Sequence, residues 1–143
     1  MKAFATLYLR LDATTSSNAK LEALRDYFAT APAEVAAWAV YFLAGGRPRQ
    51  LVPTRVLREQ ATAEAGLPDW LFEESYQAVG DLAETISLLV PVHADGSNEG
   101  LATWVEQYLL PLRGLSPEQV QQRLQPLWAQ LDRPSLMLCL KLI

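Results

Sequence analysis

Apolar residues recur along this chain at the spacing of a helix face, not in the alternation of a strand. Phe4, Leu7, Tyr8 and Leu11 stand at i, i+3, i+4 and i+7 and predict a first amphipathic helix. The polar cluster from Thr14 to Asn18 breaks it and supplies an N-cap for a second helix over 18–31. Pro32 opens a third, in which Val35, Trp38, Ala39, Phe42 and Leu43 form a buried stripe ending at Gly45-Gly46. Pro53 starts a fourth that runs toward Gly66. Asp69 is placed to cap a fifth reaching Val79, and Gly80-Asp81 separates it from a sixth over 82–90 that Pro91 stops. The segment PVHADGSNEG (91–100) reads as a loop. Beyond it Leu101, Trp104, Val105, Tyr108, Leu109 and Leu112 make another helical stripe. Ser116-Pro117-Glu118 is a strong helix start, and Val120, Leu124, Leu127 and Leu131 carry that helix, with Pro126 expected to bend or divide it. The stretch 134–143 is apolar and helix-compatible.

No alternating run of useful length appears, β-branched residues are scarce, and no fixed-period repeat is visible. The expectation is an all-α, compact domain of about eight or nine helices spanning the 143 residues. The four tryptophans, Trp38, Trp70, Trp104 and Trp128, sit on or beside apolar stripes and are expected in the core. The final LMLCLKLI stops in mid-pattern, as a piece cut from a longer protein would; a terminal helix docked in the core is the alternative.

Composition narrows the class. Half the residues are hydrophobic and a fifth charged, as in an ordinary globular protein. No uninterrupted apolar run reaches the ~18 residues a membrane span needs. The opening MKAFATLYLRLD is broken by Arg10 and Asp12, so it reads as an amphipathic helix and not as a signal peptide. The single Cys139 excludes a disulfide framework and points to a reducing compartment, the cytoplasm.

The net charge of −4 hides an asymmetry. From Gly45 to Arg58 there are four arginines, Arg47, Arg49, Arg55 and Arg58, and no acid. From Glu59 to Leu112 there are ten acids and no Lys or Arg. A phosphate backbone responds to the local field, not to the average. The arginines therefore read either as an anion-binding patch or as solubilising charge on one helix end.

Signs of catalysis are few. His93, alone in a polar loop, has no Cys or His at metal spacing and reads as a solvated side chain. No serine has a nucleophile elbow or a histidine partner. Gly45-Gly46 lacks the further glycines and the Lys-Ser/Thr of a phosphate-cradling loop. Glu73 and Glu74 are adjacent, so on a helix they point apart.

The blocks AVYFLAGG (39–46), the arginine-rich connector and GLPDWLFEESYQAVGDLAETISLLV (66–90), above all GDLAET (80–85), resemble the N-terminal DNA-binding domain of bacterial ATP-dependent DNA ligases. The layout agrees along nearly the whole chain, with its specific part in 39–90. The resemblance implies a helical domain that binds the minor-groove side of nicked duplex DNA and contributes no catalytic group. In such enzymes a lysine of a Lys-x-Asp-Gly motif, in a separate nucleotidyltransferase domain followed by an OB-fold, is adenylated by ATP with Mg2+. AMP then passes to the 5′-phosphate, and the 3′-hydroxyl displaces it. Lys2, Lys20 and Lys141 do not begin that motif, so this segment is expected to bind no cofactor and to be inactive alone. The family pattern continues past the last helix into a glycine- and arginine-bearing segment and further helices. That continuation is not in this segment, so the resemblance implies that part of the DNA-facing surface is expected to be missing from it.

Nick recognition needs no base code, and backbone contacts position a protein without reading sequence. Arg47, Arg49 and Arg55, with Gly45-Gly46 and the Pro53 helix start, are the residues expected to meet phosphate, and Gln50 and Thr54 are lesser candidates. The acidic half is expected to face away from DNA or toward the parent's catalytic domains. The partners implied are double-stranded or nicked DNA and those domains, with the chain a monomer and no membrane role. A helical protein–protein interaction scaffold without a DNA role stays open and predicts an exposed apolar patch. A small independent enzyme would need convergent titratable groups, which the sequence does not offer.

Overall fold

The structure is a computed structural model that describes residues 1–92 and 95–143; His93 lies outside the described residues. Among these residues it is all-helical: α1 (Lys2–Asp12), α2 (Ser17–Thr30), α3 (Ala33–Leu43), α4 (Thr54–Ala65), α5 (Asp69–Val79), α6 (Leu82–Leu89), α7 (Leu101–Thr103), α8 (Pro117–Trp128) and α9 (Arg133–Leu142). The short α7 continues into a π-helical turn over Trp104–Leu109 and a 3-10 turn over Leu110–Leu112.

The caps explain several boundaries. Ser16 accepts from the Ala19 amide and starts α2, one residue before the expected position. Ser116 and Gln119 form a reciprocal capping box at α8. Asp132 accepts from the Ser135 amide at α9. Asp69 does not cap α5: that helix begins after Pro68 without a side-chain cap, and Asp69 is its first residue, placed for the helix dipole alone.

Two departures trace to proline. Pro126 does not divide α8, which runs through it and ends two residues later at Trp128. Pro126 is exposed, so the carbonyl that loses its donor one turn earlier can turn to water. The stripe over 101–112 was expected to be one plain helix. Pro111 lacks an N–H for the Gln107 carbonyl and crowds it, and the backbone answers with the wide π turn ahead of it.

The apolar α9 is the axis of packing. Leu136, Leu138, Cys139, Leu140 and Leu142 are buried on it, and α1 and α6 pack against it. Helix α4 lies against α6 and α8, α3 against α7, and α5 against α6. Trp104 and Trp128 are wholly buried, as expected. Trp38 is half-buried, with its indole N–H donating to Glu106 at 2.7 Å. Trp70 is not in the core: it stands at the start of α5 with 66% of its surface exposed. The α3 stripe is also less buried than its pattern suggests, since only Ala39 is fully enclosed and Leu43 is 37% exposed.

Candidate nucleic-acid interface

The connector between α3 and α4 is pinned at both ends. After α3 the chain reverses at Gly45, at φ +86°, and the Gly46 amide donates to the Tyr41 carbonyl at 2.8 Å. A Cβ at Gly46 would lie 2.5 Å from that carbonyl oxygen and 2.6 Å from the Tyr41 ring, so only glycine fits. At the other end Leu51 and Val52 are buried, and the Leu51 amide donates to the Ile143 carbonyl at 3.1 Å. Between these anchors Arg47, Arg49 and Gln50 stand exposed. Helix α4 follows from Pro53, with no acidic residue and no side-chain cap in its first turn, where Thr54 and Arg55 sit. Its amide end is therefore unneutralised from within.

The four arginines of this segment separate by environment. Arg47 and Arg49 are in no ion pair among the described residues. Arg55 is 86% exposed and meets Glu59, one turn on, at 2.7 Å. The Glu59 hydrogen bond raises its guanidinium pKa. Arg58 is committed within the fold: it donates to Glu73 of α5 at 2.8 Å and lies 4.6 Å from the centre of the Tyr76 ring.

Gly46, Arg47, Gln50, Thr54 and Arg55 line adjoining clefts, and Gly45 and Arg49 stand outside them. A cleft of about 420 Å3 is lined by Gly46 and Arg47 together with Asp81 and Lys141. A smaller one of about 160 Å3 takes in Gln50 and Thr54, and shares Leu82 and Ala83 of α6 with the first. Thr54 and Arg55 then open onto a groove of about 460 Å3 between α4 and α5. The connector and the α4 start thus form one surface. The Gly45 and Gly46 amides are spent on the α3 carbonyls Phe42 and Tyr41, at 3.0 and 2.8 Å, so the pair shapes the turn.

The expected separation of acid from arginine is incomplete. Glu59, Asp69 and Glu73 line the same groove as Arg55. Asp81 borders the Arg47 cleft, where its charge is met by Lys141 at 2.7 Å. That bond and the Glu84 amide hold the Asp81 carboxyl below its usual range. Asp81 is also the N-cap of α6, and its carbonyl accepts from the buried Thr85 hydroxyl at 2.7 Å. Sequence alone gives Lys141 no role; a basic residue late in the last helix is the one signal that could have found it.

Among the described residues the domain is helical, and its arginine-rich connector is held at both ends by backbone hydrogen bonds. Residues 1–143 match the family described as DNA ligase N terminus, and the chain belongs to that family, the N-terminal domain of ATP-dependent DNA ligases. No individual curated protein matches it. No helix of the described residues is long and apolar enough to cross a membrane. No group of three or more His, Cys, Asp or Glu that could hold a metal ion occurs among them.

Proposed function

We propose that residues 1–143 form a DNA-binding domain that holds duplex DNA around a single-strand break for an ATP-dependent ligase working in repair, replication or recombination. The observation that carries this reading is the pinned connector, which presents Arg47 and Arg49 exposed and in no ion pair among the described residues, beside the acid-free first turn of α4. Guanidinium groups and free helix-start amides suit phosphate oxygens, and such contacts carry no base information. A nick occurs in any sequence, so this is the recognition that nick sealing needs. Arg55, Gln50 and Thr54 extend the same surface.

The chemistry belongs to catalytic domains elsewhere in the parent, which use ATP and Mg2+. None of Lys2, Lys20 and Lys141 begins Lys-x-Asp-Gly, and Lys141 is bound to Asp81. With labelled ATP and magnesium the chain forms no covalent adenylate; a stable adduct on Lys20 or Lys141 overturns that division of labour. The binding test is titration of two nicked duplexes of unrelated sequence. Equal, weak affinities that fall as salt rises are expected. A marked preference for one sequence, or salt-insensitive binding, rejects the reading. The scaffold alternative draws on the exposed Val40 and Tyr41 of α3, and it predicts no salt-sensitive DNA affinity at all.

A further inference from the structure

We propose that Lys141 is a second cationic contact for the phosphodiester backbone, in the cleft that it shares with Arg47, an inference that rests on the DNA-binding reading above.

The end of α9 and the connector are joined directly. The Ile143 carbonyl accepts from the Leu51 amide at 3.1 Å, so the helix that carries Lys141 ends on the far anchor of the connector. The two also wall the same clefts. Lys141 lines the larger one with Gly46, Arg47 and Pro48, and Ile143 lines the smaller one with Gln50 and Thr54. Lys141 therefore lies on the connector's own surface.

The charged side chains of the larger cleft are Arg47, Lys141 and Asp81. Both carboxylate oxygens of Asp81 are engaged: Oδ1 accepts from the Glu84 amide at 2.8 Å and Oδ2 from the Lys141 ammonium at 2.7 Å. Two cations and one anion leave the cleft net positive. The Lys141 side chain is 27% exposed, so its ammonium is open to solvent, and it carries further N–H donors beyond the one that Asp81 takes. An ammonium is a point charge that can keep one donor on a carboxylate and turn another to a phosphate oxygen. Asp81 holds the flexible lysine in place at the cleft, so less ordering is left for DNA to impose. The same carboxylate cancels part of the field that a phosphate would meet. Neutralising Asp81 while its cap is kept should therefore strengthen binding, and a purely structural Lys141 predicts no such gain.

The test uses the whole chain with a nicked duplex oligonucleotide and reads Kd and the slope of log Kd against log salt. Lys141→Gln is expected to flatten the slope by about 0.9, the loss of one neutralised phosphate, and Lys141→Arg to keep it. Asp81→Asn, whose amide oxygen can still cap α6, is expected to tighten binding, and adding Lys141→Gln should abolish that gain. Lys20→Gln and Glu22→Gln are the controls, because both residues are exposed on α2, which lines neither cleft. Changes as large from these controls would mean that net charge alone is being read, and would overturn the proposal. If Arg47→Ala flattens the slope while Lys141→Gln keeps it, Lys141 is not a contact and the DNA-binding reading stands. If neither variant changes binding, both fall. If Lys141→Gln loses its helical circular dichroism, Asp81→Asn decides: binding tightened beyond the Glu22→Gln control supports the contact, and unchanged or weaker binding refutes it.

Discussion

Asp81→Ala is the substitution that most directly asks why the GDLAET segment is built as it is. The change removes the acceptor for the Glu84 amide at 2.8 Å and the acceptor for Lys141 at 2.7 Å. Loss of an N-cap costs about 1 kcal/mol. The ion pair joins side chains 27% and 42% exposed, so solvent screening holds its contribution to about 0.2–1 kcal/mol. The sum, about 1–2 kcal/mol, corresponds to a fall in Tm of roughly 3–10 °C for a domain of this size. Asp81→Asn keeps a cap acceptor and loses the charge, so it is expected to fall by less than half as much. Lys141→Met should match it, and the double variant should be no worse than either alone, since both remove one pair. The pH dependence has a definite sign. Lys141 first and the Glu84 amide second depress the folded-state pKa, so this stability is fully present above the ordinary Asp value of about 4 and is lost as pH falls through the folded value. Thermal melts by circular dichroism across pH read all of it. An Asp81→Ala protein as stable as the wild type refutes the reasoning, and so does a Lys141→Met loss as large as that of Asp81→Ala.

Three further outcomes follow from the geometry. Arg58→Met removes the α4–α5 ion pair and the Tyr76 contact, and is expected to cost about 1–2 kcal/mol while leaving the salt dependence of DNA binding unchanged; a flattened slope would move Arg58 into the interface. Gly46→Ala forces a Cβ against the Tyr41 carbonyl, so the connector must shift and DNA affinity should fall; unchanged affinity and Tm would show that the turn is not rigid. The Cys139 thiol is fully enclosed and burial pushes its pKa up to about 12, so iodoacetamide should modify it only as fast as the domain unfolds; rapid labelling of the folded protein would contradict the packing of α9.

The parts legible in the sequence were those that local chemistry decides. The period of the apolar stripes gave the helical class, and Ser116, Pro32 before α3, Pro53 before α4 and Pro117 in the first turn of α8 marked helix starts that the folded chain uses. What stayed hidden depends on neighbours distant in sequence. Nothing near Trp70 says that its ring lacks a neighbour to cover it, and nothing near Asp81 announces Lys141, sixty residues on. Pro111 was the visible cause of the π turn, masked by a stripe that kept its period through Leu109. The arginine cluster was visible as a run, but its division into exposed Arg47 and Arg49, surface-paired Arg55 and committed Arg58 required knowing where α5 lies. Linear charge segregation likewise failed to predict that Glu73 of α5 would fold back beside Arg58.

The most direct test of the account is the salt dependence of nicked-duplex binding by a variant carrying Arg47→Ala, Arg49→Ala and Arg55→Ala. These side chains are exposed, so Tm should move little. Affinity should drop, and the slope of log Kd against log salt should flatten by about one for each phosphate left without its arginine. A variant that keeps the wild-type slope and affinity, or that loses its fold instead, would contradict the claim that this pinned connector is where the domain meets DNA.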